Sequence, residues 1–203
     1  SGGTGGLGLL TARWLAQSGA SCIVLVSRSG KFVAGTANEH RQLEATGVKW
    51  RVERCDFAEG ADVRRVLLAP ECGPADLRGF WHAAGVLSDA MLAKQDIKLL
   101  TKVYGPKAHA SRHVHSMCHG RGKLRACMLF SSIAALQGNS GQVNYSAANH
   151  QLDMLAVLRR AAGQAAVSTQ WGAWAEIGMA ANALVEANMK AAGMGLIGLA
   201  MGL

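Results

Sequence analysis

The stretch FSSIAALQGNSGQVNYSAAN, Phe130 to Asn149, sets Ser132 thirteen residues ahead of Tyr145 and Asn149 four residues behind it. A strand-like apolar run, Arg125–Ser131, leads in, and a helical pattern, Tyr145–Ala162, leads out. A serine at a strand end and a tyrosine on the following helix can converge on one carbonyl oxygen. The serine then donates a hydrogen bond to that oxygen and the phenol delivers a proton. A phenol ordinarily titrates near pH ~10, so this chemistry needs a cation close by.

Outward from this segment, helices and strands alternate. Leu7–Ser18 has helical apolar spacing and stops at Gly19, and Cys22–Val26 is a short buried strand. Asn38–Ala45 is helical, Val48–Arg54 alternates as a strand, and Ala61–Ala69 is a helix ending before Pro70. Gly79–Ala83 reads as a strand, Leu99–Cys118 as one helix, and Val167–Trp171 as a last strand. The pattern predicts an α/β fold: a Rossmann-like doubly wound parallel sheet with helices on both faces. A glycine-rich phosphate loop should follow a strand, yet the chain opens on Ser1-Gly2-Gly3. The first strand therefore reads as missing. Residues 1–203 read as a single domain cut at both ends, the apolar, glycine-rich tail Ala191–Leu203 lacking a terminating element.

Half the residues are hydrophobic and 17% are charged, which argues against disorder. No apolar run reaches the ~18 residues of a membrane span, and no secretory leader pattern opens the chain. Cys22, Cys55, Cys72, Cys118 and Cys127 show no CxxC spacing and read as reduced intracellular thiols, so a cytoplasmic location is expected, with an organelle lumen such as a plastid as the alternative. The net charge of +8 fits a nucleic acid, an acidic protein, a polyanionic cofactor, or simply a solvated surface. The basic residues are scattered and not interleaved with aromatics, so no nucleic acid is expected as partner, and no membrane.

Gly3-Thr4-Gly5-Gly6-Leu7-Gly8 fits G-x-G-x-x-G at the start of a helix. Such glycines let backbone approach a pyrophosphate at a helix N-terminus, although the pattern alone also describes a plain turn. Twenty residues past Gly8, where an NAD-binding chain would carry an acid, stands Arg28 in Val26-Ser27-Arg28-Ser29. It reads either as an exposed strand-end charge or as the partner of a 2′-phosphate, the second favouring NADPH. Asp56 and Ala83-Ala84-Gly85 close two further strand-like runs, where they could meet a cofactor or be ordinary strand ends.

With these residues assembled, the chain resembles the ketoreductase domain of modular polyketide synthases and related fatty-acid synthases, within the short-chain dehydrogenase/reductase superfamily. The resemblance rests on GGTGGLG, the SRSG run at 27–30, CD at 55–56, HAAGVLSD at 82–89, PK at 106–107, FSS at 130–132, QVNYSAAN at 142–149 and WGAWAEIGM at 171–179. Most short-chain reductases carry Tyr-x-x-x-Lys, whereas Asn149 stands here, and in synthase-embedded ketoreductases the lysine comes from the preceding helix. Lys107 matches it, with Lys102 as fallback. The resemblance implies hydride transfer from NADPH to the β-ketone of an acyl chain on an acyl carrier protein. In that scheme Tyr145 gives the proton, Ser132 bonds the same oxygen, Lys107 lowers the tyrosine pKa, and Asn149 holds a relay water or orients the lysine. The other domains of a synthase are implied partners. Leu87-Ser88-Asp89 keeps the last acid of the Leu-Asp-Asp signature of the D-hydroxyl class, and Asn144 agrees with it. Gln137 stands where the opposite class has tryptophan. Trp171 and Met179 would line the substrate channel under a helical lid, Ala180–Ala192, though Trp171 and Trp174 fit core packing equally. His109, His113, His115, Cys118 and His119 crowd one helix at zinc-compatible spacing, but no acid joins them and the family needs no metal, so none is expected. Two rival readings are a catalytically silent structural domain, which would ordinarily lose the tyrosine or the glycine loop, and a stand-alone carrier-protein reductase, which Asn149 argues against.

Overall fold

The computed structural model describes residues 1–69, 77–118, 124–178, 187, 189–191 and 193–199. The chain divides into two compact units. One comprises Ser1 with Cys55–Trp171, the other Gly2–Arg54 with Gly172–Leu203.

In the second unit, α1 (Gly6–Gln17), β1 (Cys22–Ser27), α2 (Ala37–Glu44) and β2 (Lys49–Arg54) follow one another. The β-branched run Ile23–Val26 suits a pleated, buried strand, and β1 pairs in parallel with β2 from Cys22↔Lys49 to Ser27↔Arg54. Leu9 and Ala12 of α1, Ile23 and Leu25 of β1 and Leu43 of α2 share one buried cluster. Each large aliphatic side chain buried there contributes about 1.5–3 kcal/mol.

The first unit holds α3 (Gly60–Leu67), β3 (Gly79–His82), α4 (Ile97–Tyr104), α5 (Ala110–Cys118), β4 (Ala126–Ser132), α6 (Ala134–Gln137), α7 (Val143–Ala161) and β5 (Val167–Trp171). Its strands form a parallel sheet in the order β3-β4-β5, with His82↔Leu129 and Ser132↔Trp171 in register. Asp96 starts α4 by accepting the Leu99 N–H on its carboxylate at 2.8 Å, satisfying one of the amides that a helix start leaves open.

The all-parallel α/β pattern and nearly all element positions match the expectation from sequence. Among the described residues no strand lies ahead of α1, in keeping with the first strand that reads as missing, and the strands bond in two groups, β1-β2 and β3-β4-β5. One feature differs. The helix expected over Leu99–Cys118 is interrupted by a π-helical turn, Gly105–His109. Pro106 lacks the N–H that would reach back to Lys102, and the Ala110 amide instead bonds Gly105 O, five residues behind it. The expected lid, Ala180–Ala192, falls mostly outside the described residues, as do Met179, His119 and Cys72. No helix among the described residues is long and apolar enough to cross a membrane.

Candidate active site

In the first unit, β4 ends on Ser132, half-buried, whose Oγ accepts the Ala134 N–H at 3.2 Å. Tyr145 lies in the first turn of α7 and is buried with Val103, Ala134 and Ala148. Its pKa is raised by burial, while hydrogen bonds from the Asn149 and Ser132 side chains pull it back down. The lowering expected from Lys107 is not among the causes of the shift: burial of the phenol dominates, and the one charge that acts on it, Asp89, raises it further.

Lys107 sits in the π-helical turn and is only 3% exposed. Its Nζ donates to Phe130 O at 2.9 Å and lies 5.5 Å from the centre of the Tyr145 ring. Loss of solvent lowers its pKa to about 7, against the opposing carboxylate of Asp153. Lys102, the fallback, is exposed on α4. Asn149 is fully buried; its amide donates to Tyr145 O at 2.9 Å, and its carbonyl oxygen is left without a protein partner. Ser131, also buried, donates to Asn149 O at 3.3 Å. Ser132, Tyr145, Lys107 and Asn149 thus come together around the end of β4.

Two supports of this cluster, His82 and Asp153, are not singled out as site residues from the sequence. His82, at the end of β3, is fully buried, and its Nε2 lies 3.1 Å from Lys107 O. Burial first, and the nearby Lys107 charge among other causes, lowers its pKa to about 3, so the ring is neutral near pH ~7. Nε2 therefore carries the hydrogen and donates to the carbonyl, leaving Nδ1 to accept from the Ser1 hydroxyl. Asp153, two turns beyond Tyr145 on α7, accepts from Ser168 and Gln170 of β5.

Of the residues singled out for stereocontrol, Asn144 lies in the first turn of α7. Asn144 is buried and donates to Ser88 O at 2.9 Å. Gln142 donates to the exposed Asp89 carboxylate at 2.9 Å. Gln137 is exposed at the end of α6, and Trp171 is half-buried with its ring 5.6 Å from that of Phe130. Asp56 uses its carboxylate to accept the Ala58 N–H at 2.9 Å, and Ala83 N–H donates to Ser1 O, while Ala84 and Gly85 follow in irregular backbone. The helix histidines are separately engaged: His109 against the Tyr104 ring, His113 on Phe57 O, His115 on Arg159. No three His, Cys, Asp or Glu side chains converge on a metal site among the described residues.

In the second unit, the glycine segment packs backbone on backbone. A Cβ on Gly8 would stand 2.2 Å from Gly2 O, and one on Gly3 would stand 2.9 Å from Leu25 Cα. Gly5 caps α1 without a side-chain hydrogen bond, and no acid occupies the first turn of the helix. The leading amides, including those of Gly6 and Leu7, are therefore available to an anion, and the helix dipole favours one there. The buried Thr4 holds the loop by accepting Val33 N–H on its carbonyl at 3.1 Å. At the same, C-terminal end of β1, where Gly3 N–H donates to Val26 O, Ser27 Oγ accepts the Gly30 N–H and Arg28 is exposed. This cradle of bare backbone, with the exposed Arg28 guanidinium beside it, fits a phosphate-bearing nucleotide.

The family model described as the KR domain matches residues 1–176. The chain is 43% identical over 180 residues to polyketide synthase GfsA of Streptomyces halstedii, covering 89% of the chain and 2% of the synthase. It is 39% identical over 191 residues to the spectinabilin polyketide synthase system protein NorB of Streptomyces orinoci, covering 93% of the chain and 9% of that protein. Among solved structures, A-type ketoreductases from a modular polyketide synthase superpose with a TM-score of 0.90 at 38% identity, covering 98% of the chain and 42% of the solved one. The chain spans under a tenth of these two synthases and less than half of the solved ketoreductase.

Proposed function

The chain belongs to the KR-domain family, the ketoreductase domains of polyketide synthases, and from that premise we propose that it reduces the β-keto group of a carrier-bound acyl thioester to a β-hydroxyl, using NADPH. The observation that carries the reading is the buried phenol of Tyr145, whose pKa the Ser132 and Asn149 side chains act to lower, with Lys107 Nζ 5.5 Å from the centre of its ring. That is the equipment for giving a proton to an alkoxide as it forms on a former carbonyl oxygen.

When bound, NADPH supplies the hydride. The amides at the start of α1 would hold its diphosphate, and Arg28 would pair with a 2′-phosphate. The chain's own residues do the rest. Ser132 Oγ donates to the ketone oxygen and stabilises negative charge there. The Tyr145 hydroxyl transfers its proton to that oxygen, and the phenolate left behind is stabilised by the Lys107 charge. The Asn149 carbonyl oxygen, without a protein partner, is an acceptor for a water that returns the proton. Asp89, bonded to Gln142, and Asn144, bonded to Ser88 O, support a D-configured hydroxyl.

The test is NADPH consumption with a β-ketoacyl thioester, followed by chiral analysis of the product. Tyr145→Phe should lower turnover by at least about 10²–10⁴-fold and leave NADPH binding nearly unchanged. Full turnover by that variant would refute the assignment.

A further inference from the structure

The segment that follows β3 carries a surface that the chemistry above does not use. Met91, Leu92 and Ile97 are 61%, 74% and 71% exposed, a concentration of large apolar side chains in seven residues. Lys94, Lys98 and Lys102 recur every fourth residue through the 3₁₀ turn Leu92–Lys94 and α4, and all three are exposed. On α4, Leu99 and Val103 face inward, so Lys98 and Lys102 share one outer flank and Ile97 the crest beside it. The one acid in the stretch, Asp96, is spent on capping the helix, and no salt bridge reaches these lysines among the described residues. Exposed apolar side chains beside unneutralised, evenly spaced cations form a face suited to a partner that is itself acidic and amphipathic.

This surface is fastened to the candidate active site through backbone. Asn144, the neighbour of Tyr145, donates from one amide nitrogen to Ser88 O and Leu99 O, at 2.9 and 3.5 Å. The Ala90 N–H donates to Gly141 O at 2.8 Å, and Gln142 holds Asp89. Gln95 closes the segment on itself by donating to Ala90 O. A partner pressing on the lysine row therefore bears on the segment that holds the start of α7.

We propose that the Lys94, Lys98 and Lys102 row, with Met91, Leu92 and Ile97, is the docking surface for the acidic face of the carrier protein that presents the acyl chain. The proposal rests on the ketoreductase reading for the existence of a carrier and adds the surface that receives it. Rim charges of this kind act mainly by raising the rate of productive encounter, so their effect is large at low ionic strength and screened by salt.

The experiment compares the unmutated chain with the triple variant Lys94→Glu, Lys98→Glu, Lys102→Glu. Two substrates are used: an acetoacetyl group on the phosphopantetheine arm of an acyl carrier protein, and the same group as a small N-acetylcysteamine thioester. Binding of a fluorescently labelled carrier is measured in parallel. At low salt, kcat/KM for the carrier-bound substrate should fall by about tenfold or more in the variant, and carrier binding should weaken alike. Turnover of the small thioester should stay unchanged, which also reports that the variant is folded. Adding salt to about 0.5 M should bring the unmutated chain down towards the variant. An equal loss with both substrates, no loss with either, or unweakened carrier binding overturns the proposal. So does a change from dimer to monomer in sedimentation, which would make a second copy the occupant. If the unmutated chain fails to reduce the small thioester yet binds the carrier through these lysines, the ketoreductase reading falls and the docking surface stands.

Discussion

Replacing Lys107 with methionine should stabilise the chain at neutral pH while abolishing its chemistry. Folding takes the lysine from its ordinary pKa of 10.5 to about 7, chiefly by removing the ammonium from water. Below both values the folded chain carries a buried charge that the unfolded chain keeps solvated. That displacement corresponds to roughly 5 kcal/mol of lost stability. Between about pH 7 and pH 10.5 the unfolded chain binds the extra proton, so stability rises with pH across this window and the penalty fades, to roughly 2 kcal/mol at about pH 9. Methionine keeps the apolar stem and removes the titration. It also forfeits the bond from Nζ to Phe130 O, which costs about 1 kcal/mol at every pH. The variant should therefore exceed the parent by about 3 kcal/mol near pH 7 and by about 1 kcal/mol near pH 9. Urea unfolding of both proteins at the two pH values, followed by far-UV circular dichroism, measures the difference directly. A gap that is the same at both pH values, or that widens as pH rises, would refute the argument that the buried ammonium is what sets it.

Gly8→Ala should abolish NADPH binding and destabilise the second unit, because the new methyl meets Gly2 O at 2.2 Å and Gly3 Cα at 2.6 Å, backbone that cannot yield cheaply; fluorescence titration with NADPH checks it, and a normal affinity would sink the reading of the loop. Arg28→Asp should weaken NADPH about tenfold or more and leave NADH nearly unaffected, since the exposed guanidinium pairs with the 2′-phosphate alone. Equal affinity of the unmutated chain for the two nucleotides would exclude that pairing.

Much of the architecture was legible in the sequence because burial imposes period. Strands such as Cys22–Ser27 and Val167–Trp171 show as short β-branched runs, and α1 shows as a stripe ending at glycine. The glycine loop and the serine–tyrosine spacing were visible because they need particular residue types at fixed intervals. The break at Gly105–His109 was not, since the apolar pattern runs on through Leu99–Cys118 and a π turn leaves no compositional mark beyond Pro106. His82 was passed over for the same kind of reason. Its neighbours Ala83–Gly85 look like a close approach of backbone to a ligand, and nothing in a strand-end histidine announces a bond to a carbonyl twenty-five residues later. Asp153 reads as one more helix-surface acid until the fold brings Lys107, Ser168 and Gln170 to it.

The π-helical turn changes what evolution and engineering can do to this segment. A π turn is an α-helix with one residue too many, and each residue advances an α-helix by about 100°. The extra residue thus acts as a phase shifter. It lets α4 choose its inward face around Val103 and α5 choose another around Val114, with the lysine seated at the joint. Chain length here is therefore held more tightly than chemistry. Ala108 could be exchanged for another small residue at little cost, whereas deleting it would restore regular winding and turn one helix against the other by more than a quarter revolution. Lineages that carry their lysine in this place should tolerate substitutions between residues 105 and 109 far more readily than insertions or deletions.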